Sequence, residues 1–207
     1  MKALIVLNGC CPDPEYYKQL MKETEYLISA DGGFRHIKAC GFSPDLMVGD
    51  FDSCSELPSG CEIIRFPAEK DDTDAEIALK EAVKRGADEV AFTCALGGRV
   101  DHELANLFLL RSQRSLGIPC SIRESQADIF FVDGRFELSG DPGTTVSILP
   151  IRDAEVSLHG FYYPLDHFLL EVGTSRGMSN LIQQSPCYVD IHQGEVLVFV
   201  NKSHSLA

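Results

Sequence analysis

Val90-Ala91-Phe92-Thr93-Cys94-Ala95-Leu96-Gly97-Gly98-Arg99-Val100-Asp101-His102 runs from an apolar stretch through a glycine pair into a helix start. Residues 90–94 read as a buried strand, because a short, nearly continuous apolar run bounded by turn residues suits a strand covered on both faces. Gly97 and Gly98 let the backbone approach a ligand. The helix start behind them offers unpaired N–H groups, and the Arg99 guanidinium can fork onto phosphate oxygens. The spacing is neither that of the dinucleotide fingerprint nor that of the Walker loop. A tight turn with Asp101 as helix cap and His102 as a surface histidine accounts for the same residues without a ligand. Asn106, one turn beyond His102, faces the same side.

Outward from this stretch, strand and helix patterns alternate up to about residue 118. Residues 3–7 and 26–29 are further apolar runs of strand length. Asp13-Pro14 places a capping side chain before a proline at the first helical position, with Tyr17, Leu20 and Met21 at helical spacing behind it. Ala75, Ala78, Leu79, Ala82 and Val83 form a second helical stripe that stops near Gly86, and Leu104, Leu107 and Phe108 continue the pattern after Asp101. Alternating strands and helices predict an α/β unit built on a mostly parallel sheet with helices on both faces. After about Pro119 the texture changes. Short runs at 128–132, 144–149, 155–158 and 196–200 are separated by Gly, Pro and Asp turns, with no helical stripe, which predicts a small β-sandwich or barrel. The expected organisation is α/β plus all-β: an α/β domain over 1–134 and a β domain over 135–207.

Acidic clusters punctuate the first half: Asp31-Gly32-Gly33, Gly49-Asp50-Phe51-Asp52-Ser53 and Lys70-Asp71-Asp72-Thr73-Asp74. Asp50 and Asp52 are two apart, so in an extended segment both point one way, and their repulsion is relieved by a cation between them. A polar turn explains that pair equally well. Aspartate before a helix is favoured by capping and the helix dipole alone. One cap needs one side chain, however, and the loop before Ala75 offers three carboxylates, a hydroxyl and the Lys70 ammonium. Carboxylates collected at the ends of strands suit a hard cation such as Mg²⁺, which in turn holds a polyphosphate.

Composition bounds the partners. The chain has 207 residues, 44% of them apolar, enough for a sizeable core. Lys and Arg total 18 against 31 Asp and Glu, a formal charge of -13, which disfavours a protein that grips nucleic acid by its phosphates. No stretch reaches the ~20 apolar residues that cross a bilayer, so no membrane partner is expected. The eight cysteines include no Cys-x-x-Cys, and the amino-terminal apolar run is too short for a signal peptide, so a reduced, cytoplasmic protein is expected. Cys10 and Cys11, beside Gly9 at the end of the first strand, read as core or turn residues.

In order, Ala-Asp-Gly-Gly, Pro44-Asp45 leading to Val-Gly-Asp-Phe-Asp-Ser, Lys-Asp-Asp-Thr-Asp-Ala-Glu, and Leu-Gly-Gly-Arg-Val-Asp-His with Asn106 closely resemble the thiamine pyrophosphokinase family. The likeness continues through Gly160-Phe161-Tyr162-Tyr163-Pro164-Leu165 and Gly173-Thr174-Ser175-Arg176-Gly177-Met178-Ser179-Asn180, and so covers nearly the whole chain. What it implies is a Rossmann-like nucleotide domain joined to a thiamine-binding β-sandwich, a homodimer, and transfer of a diphosphoryl group from ATP to the thiamine hydroxyl. By the same resemblance Asp50, Asp52 and Asp74 are the Mg²⁺ ligands, with Asp71 nearby. Asp31, Lys70, Asp71, Thr73, Arg99, Asp101 and His102 line the ATP side, and Ser179 and Asn180 contact thiamine. Asp52, Asp74 and Asp101 would be catalytic, with Asp74 or Asp101 accepting the hydroxyl proton. Tryptophan, which some relatives stack on thiamine, is absent, leaving Phe161, Tyr162, Tyr163 or Tyr188 for that face. A diphosphokinase for a hydroxymethylpterin, a metal-dependent nucleotide phosphohydrolase and a non-catalytic sensor are the alternatives at this stage.

Overall fold

A capping aspartate followed by proline starts the first helix as the sequence predicts: the Asp13 carboxylate accepts the Tyr16 N–H at 3.2 Å, with Pro14 at the first helical position. The computed structural model describes residues 1–50, 60–66 and 71–202. They fall into two units, Met1–Ser125 and Gln126–Ala207.

The first unit comprises β1 (Lys2–Val6), α1 (Pro14–Lys22), β2 (Tyr26–Ala30), α2 (Phe34–Ala39), β3 (Leu46–Gly49), β4 (Glu62–Arg65), α3 (Asp74–Lys84), β5 (Glu89–Thr93), α4 (Val100–Leu109), α5 (Gln113–Leu116) and β6 (Cys120–Arg123). Among the described residues its six strands are parallel in the order β6-β5-β1-β2-β3-β4. Leu4 and Val6 of β1 pack with Tyr17 and Met21 of α1 and Ile37 of α2. Strand alternation then turns Ile5 to the opposite face, where α3 packs on β1, β2 and β3 with Ala75, Ala78, Leu79 and Ala82 buried. Each large side chain so buried contributes about 1.5–3 kcal/mol. The stripe on α4 behaves differently. No residue of that helix is fully buried, and Val100, Leu104 and Phe108, four apart in turn, are exposed.

The second unit contains β7 (Ala127–Val132), β8 (Arg135–Leu138), β9 (Thr145–His159), β10 (Leu165–Leu170), β11 (Asn180–Leu181) and β12 (Cys187–Asn201). All pairings are antiparallel, in the order β10-β9-β12-β7, with β8 on β12 and β11 on β9. The change of unit falls at Ser125/Gln126, ahead of the 134/135 boundary expected from sequence, because β7 pairs along β12.

The separate strands expected at 144–149 and 155–158 are one fifteen-residue strand, β9, although Pro150 and Asp153 read as turn residues. Pairing with β12 overrides them. The register shifts between Ile191 and Val196, so β12 buries Cys187, Val189 and Ile191 on odd positions, then Val196 and Val198 on even ones. That change of parity keeps one face toward the core opposite Val146, Ile148, Ala154, Val156 and Leu158 of β9. Gly194 sits at the irregularity with φ +93°, where a Cβ would meet the Asp153 carbonyl oxygen at 2.2 Å. Among the described residues no helix is long and apolar enough to cross a membrane.

Candidate active site

In the first unit the chain leaves β1 toward β2 on one side, while β5 flanks β1 on the other, so the strand order reverses between β1 and β5. The loops beyond the carboxyl ends of such strands diverge and leave a crevice, the usual ligand position in open parallel sheets. A cleft of about 370 Å³ lies there. It is lined by Leu7, Asn8 and Gly9 after β1, Ala30 and Asp31 at the end of β2, Asp72–Ala75 at the start of α3, and Ala95, Gly98, Arg99, His102, Glu103 and Asn106 after β5. Two of the three acidic clusters and the glycine stretch after β5 therefore converge on one site.

Asp31 opens the turn after β2 with φ +48°, and the following glycines bring that turn against β1. At Gly33 the approach is so close that a Cβ would lie 2.0 Å from the Val6 carbonyl oxygen. At α3 the cap is Thr73, whose hydroxyl accepts the Glu76 N–H at 3.2 Å. Asp74 is thus not spent on capping, and both residues line the cleft. Asp72 accepts from Lys80 Nζ at 2.7 Å, an ammonium that also lies 3.0 Å from Glu76.

After β5, Asp101 is not the helix cap that the simple turn reading required. It lies inside α4 and bonds Arg99, with Nη2 2.7 Å from Oδ2 and Nε 3.2 Å from Oδ1, while Oδ1 also accepts the His102 N–H. This pairing with Arg99 holds the Asp101 carboxyl below the usual carboxylate range. Arg99 and His102 line the cleft, whereas Asp101 stands beside it. Among the polar lining residues, Asn8 and Glu103 carry no expectation from the sequence, and Asp72 enters only as part of the acidic loop. Glu103 accepts the Gly98 N–H at 2.7 Å, tying the glycine loop to α4, and Asn106 donates to the Ala95 carbonyl at 2.9 Å. A polar residue one or two places beyond a strand end, as Asn8 is, was the available signal.

Asp50 follows β3 half-buried, one strand beyond Asp31, and Asp71 precedes α3; neither belongs to the cleft lining. Asp52 and Lys70 lie outside the described residues. Asp45 has a structural task, accepting the Leu27 N–H at 2.8 Å. Asp31, Asp72 and Asp74 give the cleft carboxylate oxygens, the donors a hard cation selects, so the donor chemistry fits Mg²⁺. Among the described residues no three carboxylates bring an oxygen each within 4.8 Å of one another.

In the second unit, Asn180 is 5% exposed and fully engaged. Its Oδ1 accepts the N–H groups of Tyr163 and Leu181, and its Nδ2 donates to the Tyr163 carbonyl at 2.8 Å. Ser179 beside it is exposed, with φ +54°, and its N–H donates to Ser147 Oγ at 3.0 Å. Of the aromatic candidates, Phe161 is in the core, while Tyr162 and Tyr163 are exposed and meet edge to face at 4.9 Å. Tyr188 lies under the Arg135 guanidinium at 4.3 Å.

Comparison with known proteins places these features in a family. The model described as thiamin pyrophosphokinase, catalytic domain, matches residues 17–122, and that described as thiamin pyrophosphokinase, vitamin B1 binding domain, matches residues 135–196. The thiamine pyrophosphokinase of Bacillus subtilis strain 168 is 29% identical over 163 residues, covering 74% of this chain and 76% of that protein. A solved thiamin pyrophosphokinase from Geobacillus thermodenitrificans is 29% identical with a TM-score of 0.81, covering all of both chains. The Bacillus subtilis structure superposes with a TM-score of 0.84 at 23% identity, over 98% of this chain and 100% of that one.

Proposed function

This chain belongs to the thiamin pyrophosphokinase family, and from its cleft we propose how it carries out that family's reaction. It is an enzyme that transfers a diphosphoryl group from ATP to the hydroxyl of thiamine, giving thiamine diphosphate and AMP. The observation that carries this is the ordered match of both domain models, 17–122 and then 135–196, along a chain whose first unit opens a cleft at the reversal of its parallel sheet. The pterin, hydrolase and sensor alternatives draw no such support.

In our reading the first unit is a Rossmann-like nucleotide domain and the second a β-sandwich that binds thiamine, with residues 135–207 as its functional extent. Asp31, Asp71, Thr73, Arg99 and His102 attend ATP together with Lys70, and Asp50, Asp52 and Asp74 hold Mg²⁺. When bound, Mg²⁺ supplies charge neutralisation on the phosphates. The protein's own part is positioning and charge stabilisation. Arg99 meets phosphate oxygens by exchanging its Asp101 contact for them. Asp74 lines the cleft whereas Asp101 stands beside it, so Asp74 is our assignment for the proton acceptor. Asp101 then serves by keeping Arg99 in place between turnovers.

Ser179 offers an exposed hydroxyl to thiamine, while Asn180 holds the backbone that displays it. Tyr162 and Tyr163 supply the aromatic face in place of the missing tryptophan. A homodimer is supported by the uncovered stripe Val100, Leu104 and Phe108 on α4. The deciding assay combines the chain with ATP, Mg²⁺ and thiamine. Formation of AMP with thiamine diphosphate is expected; ADP, phosphate release without thiamine, or no turnover would contradict the proposal.

A further inference from the structure

Behind the β1 loop, on the side covered by α1 and α2, three donor residues from three separate segments converge. Cys11 follows β1, His36 lies in α2, and Cys94 follows β5; a sulfur from each cysteine and a ring nitrogen of the histidine all lie within 4.8 Å of one another. Cys94 is fully buried, and the other two are half-buried. Cys40 lies beside them, its thiol directed to the Pro14 carbonyl oxygen at 3.8 Å. A tetrahedral Zn²⁺ with S at ~2.3 Å and N at ~2.0–2.1 Å spaces its donors by about 3.5–3.8 Å, so small side-chain rotations would close this set around an ion. We propose that Cys11, His36 and Cys94 form a binding site for a borderline-soft divalent ion of the zinc class, with the fourth position beside Cys40.

The second shell of the histidine supports this. His36 Nε2 lies 2.9 Å from the Gly9 carbonyl oxygen and 3.3 Å from Arg35 Nε. The carbonyl accepts from Nε2 in the tautomer protonated there, which leaves the lone pair on Nδ1; the Arg35 N–H is directed at Nε2 and is satisfied by the other tautomer. Metal-bound histidines are commonly oriented by such a bond from the other ring nitrogen. Cys94 adopts φ +51°, a backbone state rarely taken by a residue whose only task is packing.

Without an ion, burial keeps the Cys94 thiol protonated, and the buried Glu124 carboxylate nearby adds to that effect. Binding exchanges charge in balance: one dication enters, two thiols each lose a proton to solvent, and the imidazole stays neutral, leaving an uncharged centre. The ion would pin the β1 loop, α2 and the end of β5 together. The site uses no residue of the proposed reaction and stands whether or not that reaction is correct.

The test is a Co²⁺ titration of the full chain, chelator-stripped and kept reduced with a phosphine, in excess Mg²⁺ so that oxygen sites are filled. A near-ultraviolet sulfur-to-cobalt charge-transfer band saturating at one Co²⁺ per chain and displaced by Zn²⁺ is expected. Cys11→Ser should weaken binding by more than the ~10–100-fold typical of losing an outer-shell partner. His36→Gln should weaken it likewise. Should a variant not fold, the melting temperature of the unaltered chain must still rise with stoichiometric Zn²⁺. No charge-transfer band, weak absorption typical of oxygen ligation, an undiminished band in folded Cys11→Ser, or an unmoved melting temperature would each overturn the proposal.

Discussion

Arg99 grips Asp101 at two points, Nη2 on Oδ2 at 2.7 Å and Nε on Oδ1 at 3.2 Å, although both side chains are largely exposed. The fork geometry is what lysine lacks. Arg99→Lys and Arg99→Ala should both raise the KM for ATP, the alanine variant by roughly 10- to 100-fold, the worth of one charge-assisted hydrogen bond. Asp101→Asn should leave the acid limb of the kcat/KM profile where it was. A profile whose acid limb disappears in Asp101→Asn would make Asp101 the base.

Asp74 lines the cleft and is relieved of capping, so Asp74→Ala should lower kcat by at least ~100-fold with an unchanged circular dichroism spectrum. The same is expected of Asp52→Ala. Assays at limiting Mg²⁺ are the sensitive check, since a lost ligand shows first where the cation is scarce. A folded Asp74→Ala variant with undiminished activity there would remove Asp74 from the metal set.

Thr73 has two tasks that substitution can separate. Thr73→Ala deletes the cap and should cost about 0.5–2 kcal/mol in denaturant unfolding. Thr73→Ser keeps the capping oxygen and should recover most of that stability. A difference between the two in ATP KM beyond the stability change would report the hydroxyl's role in the cleft.

Asn180 satisfies both backbone groups of Tyr163 from a buried position. Asn180→Ala leaves those groups without their partner and should destabilise the chain by about 1–3 kcal/mol. Because the same bonds hold the segment beside Ser179, the KM for thiamine should rise more than that for ATP. Ser179→Ala should raise the thiamine KM with no loss of stability.

His167 carries a pH dependence whose sign is fixed by its neighbours. Its Nδ1 lies 2.6 Å from Glu155 Oε1, its ring stacks on His192 at 4.1 Å, and Asp166 is nearby. Chiefly the Glu155 bond raises its pKa above the ordinary 6.5. A raised histidine contributes stability fully present below 6.5, and that contribution is lost as pH climbs through the raised value. NMR titration should show the elevated midpoint, and Glu155→Gln should bring it down. An unshifted midpoint in the unaltered chain would refute the pairing in solution.

Much of the first unit was legible because its central strands and α3 are strongly patterned: residues 3–7, 26–29 and 90–94 are nearly continuous apolar runs, and the α3 stripe keeps helical spacing. The short strands β3, β4 and β6 and the short helices α2 and α5 carry too few residues for a period to show. The continuity of β9 was illegible because Pro150 and Asp153 are local turn signals, whereas its pairing with β12 is a long-range fact. At the cleft, Asp31, Thr73, Asp74, Arg99 and His102 could be read from their places after strands and before helices. The division of labour between Thr73 and Asp74 could not, since either side chain can cap. Nor could the meeting of Cys11, His36 and Cys94, which no local spacing announces.

Gly33 rests on β1 with no room for a side chain, so the turn carrying Asp31 and the first strand are joined backbone to backbone. The depth of the cleft floor is therefore a constant of the main chain. No choice of amino acid retunes it; larger residues only push the strand aside. Changes in what the cleft holds must come instead from the rim, where Asp72, Thr73, Asp74, Arg99, His102 and Glu103 present side chains that can change without moving a strand. The floor is thus set by the main chain and the rim by its side chains.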